Sequence, residues 1–406
     1  MSDARIGMTS VIVMAGGEPE SAMRCVERVR RHTDRSGTEL IAVVNGGAAA
    51  RALREIGAAV IESGCNEGTA KARNRGIAAA SGELVALLDR HAAVTPGWLD
   101  ALQRGLLGDP RVGAAGPATS RNAGGRLPVA YETEEELELA ASALHAVPDR
   151  SKREERLALD GSCLLLRRSA YGKAGPFDER FAGARCADID FGLRLRLAGY
   201  ALLYCGDVYV HQGEDGPEPR ADASLFRQKW GFSPCAAADG EPDIRAMLER
   251  ASHGYMRGER AIMQIGCGCG ASLLQLKKLF PGAAWYGSEP SSKAADVARA
   301  AGITVFRPNG RRARPIEAAW LDGIIAGRAR AYGKPRALKR LACSLKPNGW
   351  LLGRFESRLY SKRRIKKLYR LAGLTGVEIE AAGGPASSWL LAFGRRRKAA
   401  SASPPK

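Results

Sequence analysis

The sequence predicts two α/β domains in tandem, and three observations carry that expectation. Short β-branched runs alternate with helix-length segments between Thr9 and Leu88. A strand–glycine loop–helix pattern starts afresh at Ala261. Composition and charge both change just beyond the Pro-, Gly- and Ala-containing stretch Ser233 to Pro242. A chain of 406 residues exceeds a single ordinary domain, which averages about 150 residues. Its hydrophobic content of 45% lets each part bury a core. The expected division is a domain at 1–235, a linker at 236–257, a second domain at 258–398 and a disordered tail at 399–406.

Thr9 to Met14 (TSVIVM) reads as the first strand, closed by a Gly-Gly-Glu-Pro turn, and Glu20 to His32 as the helix after it. Glu39 to Val44 gives a second strand ending in Asn45-Gly46-Gly47, then a helix from Ala48 to Ile56 and a third strand, Ala58 to Ile61. Gly68 to Ala80 reads as a helix and Glu83 to Leu88 as the fourth strand. Such short buried strands alternating with helices belong to a parallel sheet with covered faces, its crossovers right-handed. Further on, Arg121 to Arg126 is loop-like, Glu132 to Glu138 opens a charged helix, and Leu157 to Arg167 and Ala201 to Val210 read as strands. Residues 213–222 form an acidic, proline-containing loop.

The net charge of +19 is unevenly placed: residues 1–250 hold 32 Lys and Arg against 35 Asp and Glu, and the remainder 30 against 8. A segment so basic attracts polyanions, whether an anionic polymer or an anionic membrane surface, or is simply a well-solvated basic face. No apolar run reaches the roughly 18 residues of a membrane span, and the opening apolar run is too short for a secretory signal. Nine scattered cysteines then read as reduced thiols. The expected location is the cytoplasm, with peripheral contact to the inner membrane face as an extension of the basic segment.

Four segments of the first domain carry chemistry. They are TSVIVMAGG through Cys25-Val26-Glu27; CNEGTAKARNRGIAAASGELVALLD; VTPGWLDAL; and GPFDERFAGARCADIDFGLRLRLAGYALLY. In this order and spacing they resemble the inverting family 2 glycosyltransferases over some 230 residues, and Lys229-Trp230-Gly231 resembles an ending seen in many bacterial members. The resemblance implies a GT-A fold, a nucleotide-sugar donor and a hydroxyl acceptor on a cell-surface polysaccharide, a lipid-linked glycan or a protein. Family members commonly hold the donor diphosphate through a divalent cation at an Asp-x-Asp turn. Here the turn reads Asp89-Arg90-His91, so Asp89 and His91, with His211 from DVYVHQ, are the candidate ligands of Mn²⁺, which accepts nitrogen, or less aptly of Mg²⁺. Arg90 is the alternative, offsetting phosphate charge directly. The resemblance places Arg73 on the nucleotide, and Asn45 where the base would be read, beside Val44 in place of the family's Asp.

Inverting transfer needs a general base for the acceptor hydroxyl. The family's Glu-Asp pair corresponds to Ala187-Asp188, which makes Asp188 the candidate. Asp190 is expected to be structural, capping the helix through FGLRLRLAG.

In the second domain, Gly266, Gly268 and Gly270 follow a strand and precede a helix, and Glu289 ends the next strand. This resembles the class I S-adenosylmethionine methyltransferases, a Rossmann-like fold; LDGIIAG and LKRLACSLKPNGWLLGRF continue the likeness. The glycines would let the backbone approach the cofactor and Glu289 would bind its ribose. Gln264 stands where the family has an acid, and Gly327-Arg328-Ala329-Arg330 departs from it. Cys267 and Cys269 read as packing residues. The leading expectation is a hexosyl-transferring enzyme with an accessory methyltransferase-like domain. The alternatives are a pseudo-enzyme or scaffold with degenerate sites, or an active methyltransferase. Oligomeric state is not legible.

Overall fold

The computed structural model describes residues 5–63, 67–120, 130–213, 219–237, 260–307, 319–327, 332–382 and 389–397. The chain divides into two compact units, Met1–Ala238 and Asp239–Lys406. The expected loop Arg121 to Arg126, nearly all of the expected linker and the expected tail lie outside the described residues.

The strands of the first unit are β1 (Arg5–Met14), β2 (Thr38–Val44), β3 (Ala59–Glu62), β4 (Gly82–Asp89), β5 (Ala92–Ala93), β6 (Val112–Thr119), β7 (Arg153–Arg156), β8 (Cys163–Arg167) and β9 (Ala201–Gln212). Among the described residues they form one sheet in the order β3-β2-β1-β4-β8-β6-β9-β5, with β7 on β9. The run β3-β2-β1-β4 is parallel, as expected. Beyond it β8 lies antiparallel to both β4 and β6, while β9 pairs parallel with β6. The carboxyl ends of β1, β2, β4, β6 and β9 therefore share one edge with the amino end of β8.

Two strand expectations need correction. Leu157 to Arg167 is not one strand: β8 begins only at Cys163, and Leu157 to Ser162 forms the approach to it. The strand β6 was not expected at all. Its sequence VGAAGPAT carries almost no β-branched signal, yet every residue is buried, because small side chains suit a crowded centre. A Cβ on Gly113 would already stand 2.7 Å from the Tyr200 side chain.

The helices are α1 (Pro19–His32), α2 (Ala48–Glu55), α3 (Thr69–Ala79), α4 (Trp98–Leu107), α5 (Glu134–Ala146), α6 (Arg168–Ala174), α7 (Ala184–Leu197) and α8 (Arg220–Trp230). In α1 the buried stripe Ala22, Cys25, Val26 and Val29 has the 3.6-residue period of an amphipathic helix. The charged helix α5 starts on a capping box between Thr133 and Glu136, which satisfies two orphan backbone donors.

Asp190 does not cap a helix. α7 starts at Ala184 after Gly183, so Asp190 lies inside it, fully buried. Its carboxylate accepts from Arg194 Nε (2.9 Å), Lys229 Nζ (2.6 Å) and Trp230 Nε1 (2.8 Å). The Lys229-Trp230 pair thus ties α8 to α7. Removing one partner of a buried network leaves the others uncompensated. Asp190→Ala is expected to cost about 3–5 kcal/mol, measured by denaturant unfolding of the whole chain; a loss within experimental error would contradict this role.

The second unit contains β10 (Arg260–Ile265), α9 (Ala271–Leu279), β11 (Ala283–Ser288), α10 (Ser292–Ala300), β12 (Thr304–Phe306), β13 (Leu321–Ala326), α11 (Pro335–Ser344), β14 (Leu345–Glu356), α12 (Lys362–Leu371), β15 (Leu374–Ala382) and β16 (Trp389–Arg396). Its sheet runs β12-β11-β10-β13-β14-β16-β15 among the described residues. The first five strands are parallel, and β16 is antiparallel to its neighbours. Strand order reverses between β10 and β13, the switch point where Rossmann-like sheets bind ligands.

Candidate functional site

The carboxyl edge of the first sheet gathers the sequence-predicted residues into two neighbouring groups. The first is built around Asp188, in the second turn of α7. Arg73, from α3, is 1% exposed and its guanidinium pairs with Asp188 Oδ1. Arg73 Nη2 also donates to the Gly161 carbonyl at 2.8 Å, and the Gly161 N–H donates to Asp188 Oδ2 at 2.9 Å. A Cβ at residue 161 would overlap the Asp188 carboxylate and the Arg73 guanidinium, so only glycine fits. Phe177 stacks its ring 5.2 Å from the Arg73 guanidinium carbon. Arg73 is thereby engaged inside the protein, on Asp188, where the sequence had suggested a nucleotide contact.

Burial pushes the Asp188 carboxyl up to about 6; the Arg73 guanidinium limits the rise and the nearby Asp160 adds to it. Such a carboxyl titrates close to neutrality, where a general base works best. Asp160 and Gly161 were missed by the sequence reading because they fell within the supposed strand Leu157 to Arg167. The Asp-Gly dipeptide is a turn signal and could have exposed them. Beside Arg73, Asn74 brackets α3 to the next segment: its amide donates to the Phe177 carbonyl at 2.9 Å and accepts from the Phe177 N–H at 2.8 Å.

The second group lies along the ends of β2, β1 and β4. The Ser162 carbonyl accepts from Asp89 N at 2.8 Å, so the approach to β8 joins it to the Asp188 group. Asn45 packs under Gly16: a Cβ there would sit 3.0 Å from Asn45 Nδ2. Gly17, with φ +94°, lies under the Arg90 side chain, whose guanidinium carbon would be 3.3 Å from a Cβ at Gly17. Asn45, the Gly16-Gly17 loop and Arg90 thus form a continuous floor on adjacent strands. Arg90 Nε is buried without a hydrogen-bond partner.

The three candidate cation ligands do not converge. Asp89 Oδ1 accepts from the His91 backbone N–H at 3.0 Å and from Gln212 Nε2 at 3.5 Å. Side chains alternate along a strand, so with Gln212 turned to Asp89 its neighbour His211 faces the other way. The His211 ring instead meets the Tyr131 hydroxyl through Nδ1 at 2.5 Å, and burial, aided by Arg28, lowers its pKa. Among the described residues no group of three His, Cys, Asp or Glu side chains is placed to hold a metal ion. The trio Asp89, His91 and His211 therefore does not fit a preformed cation site.

In the second unit Gly266, Gly268 and Gly270 all adopt left-handed φ, +69°, +55° and +88°. A Cβ on Gly270 would overlap Ile303, whereas Gly266 has open space above it. Glu289, at the end of β11, accepts from Gly268 N and Ser291 N, each at 2.9 Å, and so braces the glycine loop. Cys267 and Cys269 are buried; burial pushes the Cys267 thiol up to about 12, and its sulfur covers Gly287. Gln264 is buried with Oε1 unpartnered. Arg328 to Ala331 lies outside the described residues.

The first unit is an open α/β domain whose carboxyl edge carries a largely buried carboxylate beside a glycine-floored cradle. Residues 10–175 match the glycosyl transferase family 2 model. An N-acetylglucosaminyl-diphospho-decaprenol L-rhamnosyltransferase of Mycobacterium tuberculosis is 36% identical over 132 residues, 28% of this chain and 42% of that protein. A pre-mycofactocin glycosyltransferase of the same organism is 30% identical over 213 residues, 50% of this chain and 42% of that protein. This chain thus spans less than half the length of the curated relatives it matches. Among solved structures, GalNAc-T7 with UDP, GalNAc and Mn²⁺ is 16% identical, with TM-score 0.45, covering 58% of this chain and 50% of that one. A SAM-dependent methyltransferase from Archaeoglobus fulgidus is 14% identical, with TM-score 0.31, covering 43% of this chain and 99% of that one.

Proposed function

We propose that the first unit transfers a hexosyl group from a nucleoside-diphosphate sugar to a hydroxyl acceptor with inversion. The observation that carries this reading is the largely buried, Arg73-paired Asp188 at the same sheet edge as the Asn45–Gly17–Arg90 floor, in a unit whose residues 10–175 match family 2. Asp188 takes the acceptor proton as the acceptor oxygen bonds the anomeric carbon. The bond from that carbon to the phosphate oxygen breaks, and its electron pair leaves with the nucleoside diphosphate. Asn45 and the Gly16-Gly17 loop receive the nucleoside, and Arg90 faces the diphosphate. Arg73 acts as a positioning residue through Asp188 and Gly161.

The mycobacterial rhamnosyltransferase is named for a diphospho-decaprenol-linked acceptor, and a lipid-linked glycan is the acceptor class we favour. The test is a matrix of UDP-, dTDP- and GDP-sugars against a polyprenyl-diphosphate-linked N-acetylglucosamine. Product formation that disappears in Asp188→Asn is the expected result. Failure of every donor to bind or turn over would instead favour a scaffold built on degenerate sites.

For the second unit we propose a retained methyltransferase-like fold in an accessory role. Gly266, Gly268, Gly270 and Glu289 would hold S-adenosylmethionine, which supplies a transferable methyl group when bound. A thermal shift with S-adenosylmethionine checks this, since stabilisation grows with ligand over dissociation constant. We also propose that α12 faces an anionic surface. Its buried stripe is Ile365, Leu368 and Tyr369, and Arg363, Lys366, Lys367 and Arg370 are exposed on the opposite side. Cosedimentation with phosphatidylglycerol vesicles, absent with phosphatidylcholine vesicles and weakened by salt, is expected. Equal binding to both vesicle types would refute it.

A further inference from the structure

We propose that Arg90, rather than a divalent cation, meets the charge that develops on the departing nucleoside diphosphate. The inference rests on the donor reading above and concerns how that site handles the leaving group.

Three observations converge on it. First, the donor set for a cation is not assembled: among the described residues Asp89 is the only carboxylate at the turn, and the His211 ring is turned to Tyr131. Second, the guanidinium of Arg90 occupies the turn itself, packed over Gly17. A dication brought to Asp89 would sit beside this fixed positive charge, and like charges at short range repel strongly in a part-buried setting. Third, Arg90 makes no ion pair with any described residue, and its buried Nε has no partner. With no described carboxylate engaging it, the guanidinium is left to take an acceptor from solvent or ligand, and its fork matches phosphate oxygens two at a time.

The sequence substitution and the geometry then describe one device. Where the Asp-x-Asp turn would carry its second carboxylate this chain has His91, and Arg90 between the two positions supplies the positive charge itself. When the bond from the anomeric carbon to the phosphate oxygen breaks, the electron pair stays on that oxygen. The guanidinium N–H groups of Arg90 stabilise it, and the acceptor proton goes to Asp188. No metal ion is needed to balance the step.

The test is calorimetric titration of the full chain with UDP, dTDP and GDP, in EDTA and again with Mn²⁺. At least one diphosphate is expected to bind in EDTA with an affinity that Mn²⁺ barely changes. Arg90→Met is expected to weaken that binding roughly tenfold to a hundredfold, the range of a hydrogen bond to a charged group, while the matching nucleoside loses little. Arg90→Lys, which keeps the charge and loses the fork, should fall between; melting curves of each variant confirm folding. Binding that appears only with Mn²⁺, or that Arg90→Met leaves unchanged in EDTA, overturns the inference and leaves the transferase reading standing. No diphosphate bound under either condition overturns the donor reading itself.

Discussion

Asp188→Asn is expected to lower the transfer rate about 10²–10⁴-fold, the contribution of a positioned general base, with little change in donor affinity. The amide keeps the shape of the carboxylate, and its one oxygen can still accept from the Gly161 N–H, while its NH2 then faces the Arg73 guanidinium; melting curves check that the variant folds. What is lost is the ability to take the acceptor proton. The pH profile gives the sharper readout. With its carboxyl pushed up to about 6 by burial, the wild-type rate should rise as pH passes through that value and level off above it. The variant should show no such limb. A limb that persists unchanged in Asp188→Asn would place the base elsewhere.

The same shift has a consequence for stability, of opposite sign to that of a salt-bridged surface carboxylate. A group whose folded pKa lies above its ordinary value of 3.8 binds more protons in the folded state over that interval. Its contribution to stability is therefore full below the unfolded value and lost as pH rises through about 6. Acid denaturation from this site alone should be absent.

Much of this was legible in the chain before any coordinates. Strands with β-branched runs, such as Thr9 to Met14 and Glu39 to Val44, fell where expected because period and composition agree there. The strand of small residues Val112–Thr119 escaped, since burial in a crowded sheet centre selects for lack of volume and leaves no periodic mark. Motif order singles out both Asp188 and Arg73, but not their pairing with each other. Arg73 lies 115 positions away in the chain, and nothing local says that its guanidinium turns inward. The orientation of the candidate cation ligands escaped for a similar reason: whether His211 or Gln212 faces Asp89 depends on strand register, which a single sequence does not fix. Asp190 was correctly read as structural and wrongly as a cap, because the helix starts two turns earlier than the charged pattern suggested.

Arg73→Met should separate positioning from catalysis at the same cluster. The substitution keeps a long side chain against Phe177 and removes the cation from a buried carboxylate. Leaving a buried charge unpaired costs about 3–5 kcal/mol, unless the carboxyl escapes by taking a proton. Asp188 has that escape, because burial already drives its pKa upward and Arg73 is what restrains it. Denaturant unfolding should therefore show a smaller loss at about pH 5 than at about pH 8, since only the ionised form suffers. The rate limb should move to higher pH in step, with activity partly recovered on the alkaline side. A residue that merely packed the core would lower stability equally at both pH values and leave the limb in place. Arg73→Lys, retaining the charge without the second contact to Gly161, should restore most of the stability and return the limb towards its original position. If Arg73 instead served the nucleotide, Arg73→Met would weaken donor binding and leave the limb unmoved. The coupling between Arg73→Met and Asp188→Asn in a double-mutant cycle, of about 0.5–3 kcal/mol for residues in direct contact, then measures how far the two act as one unit.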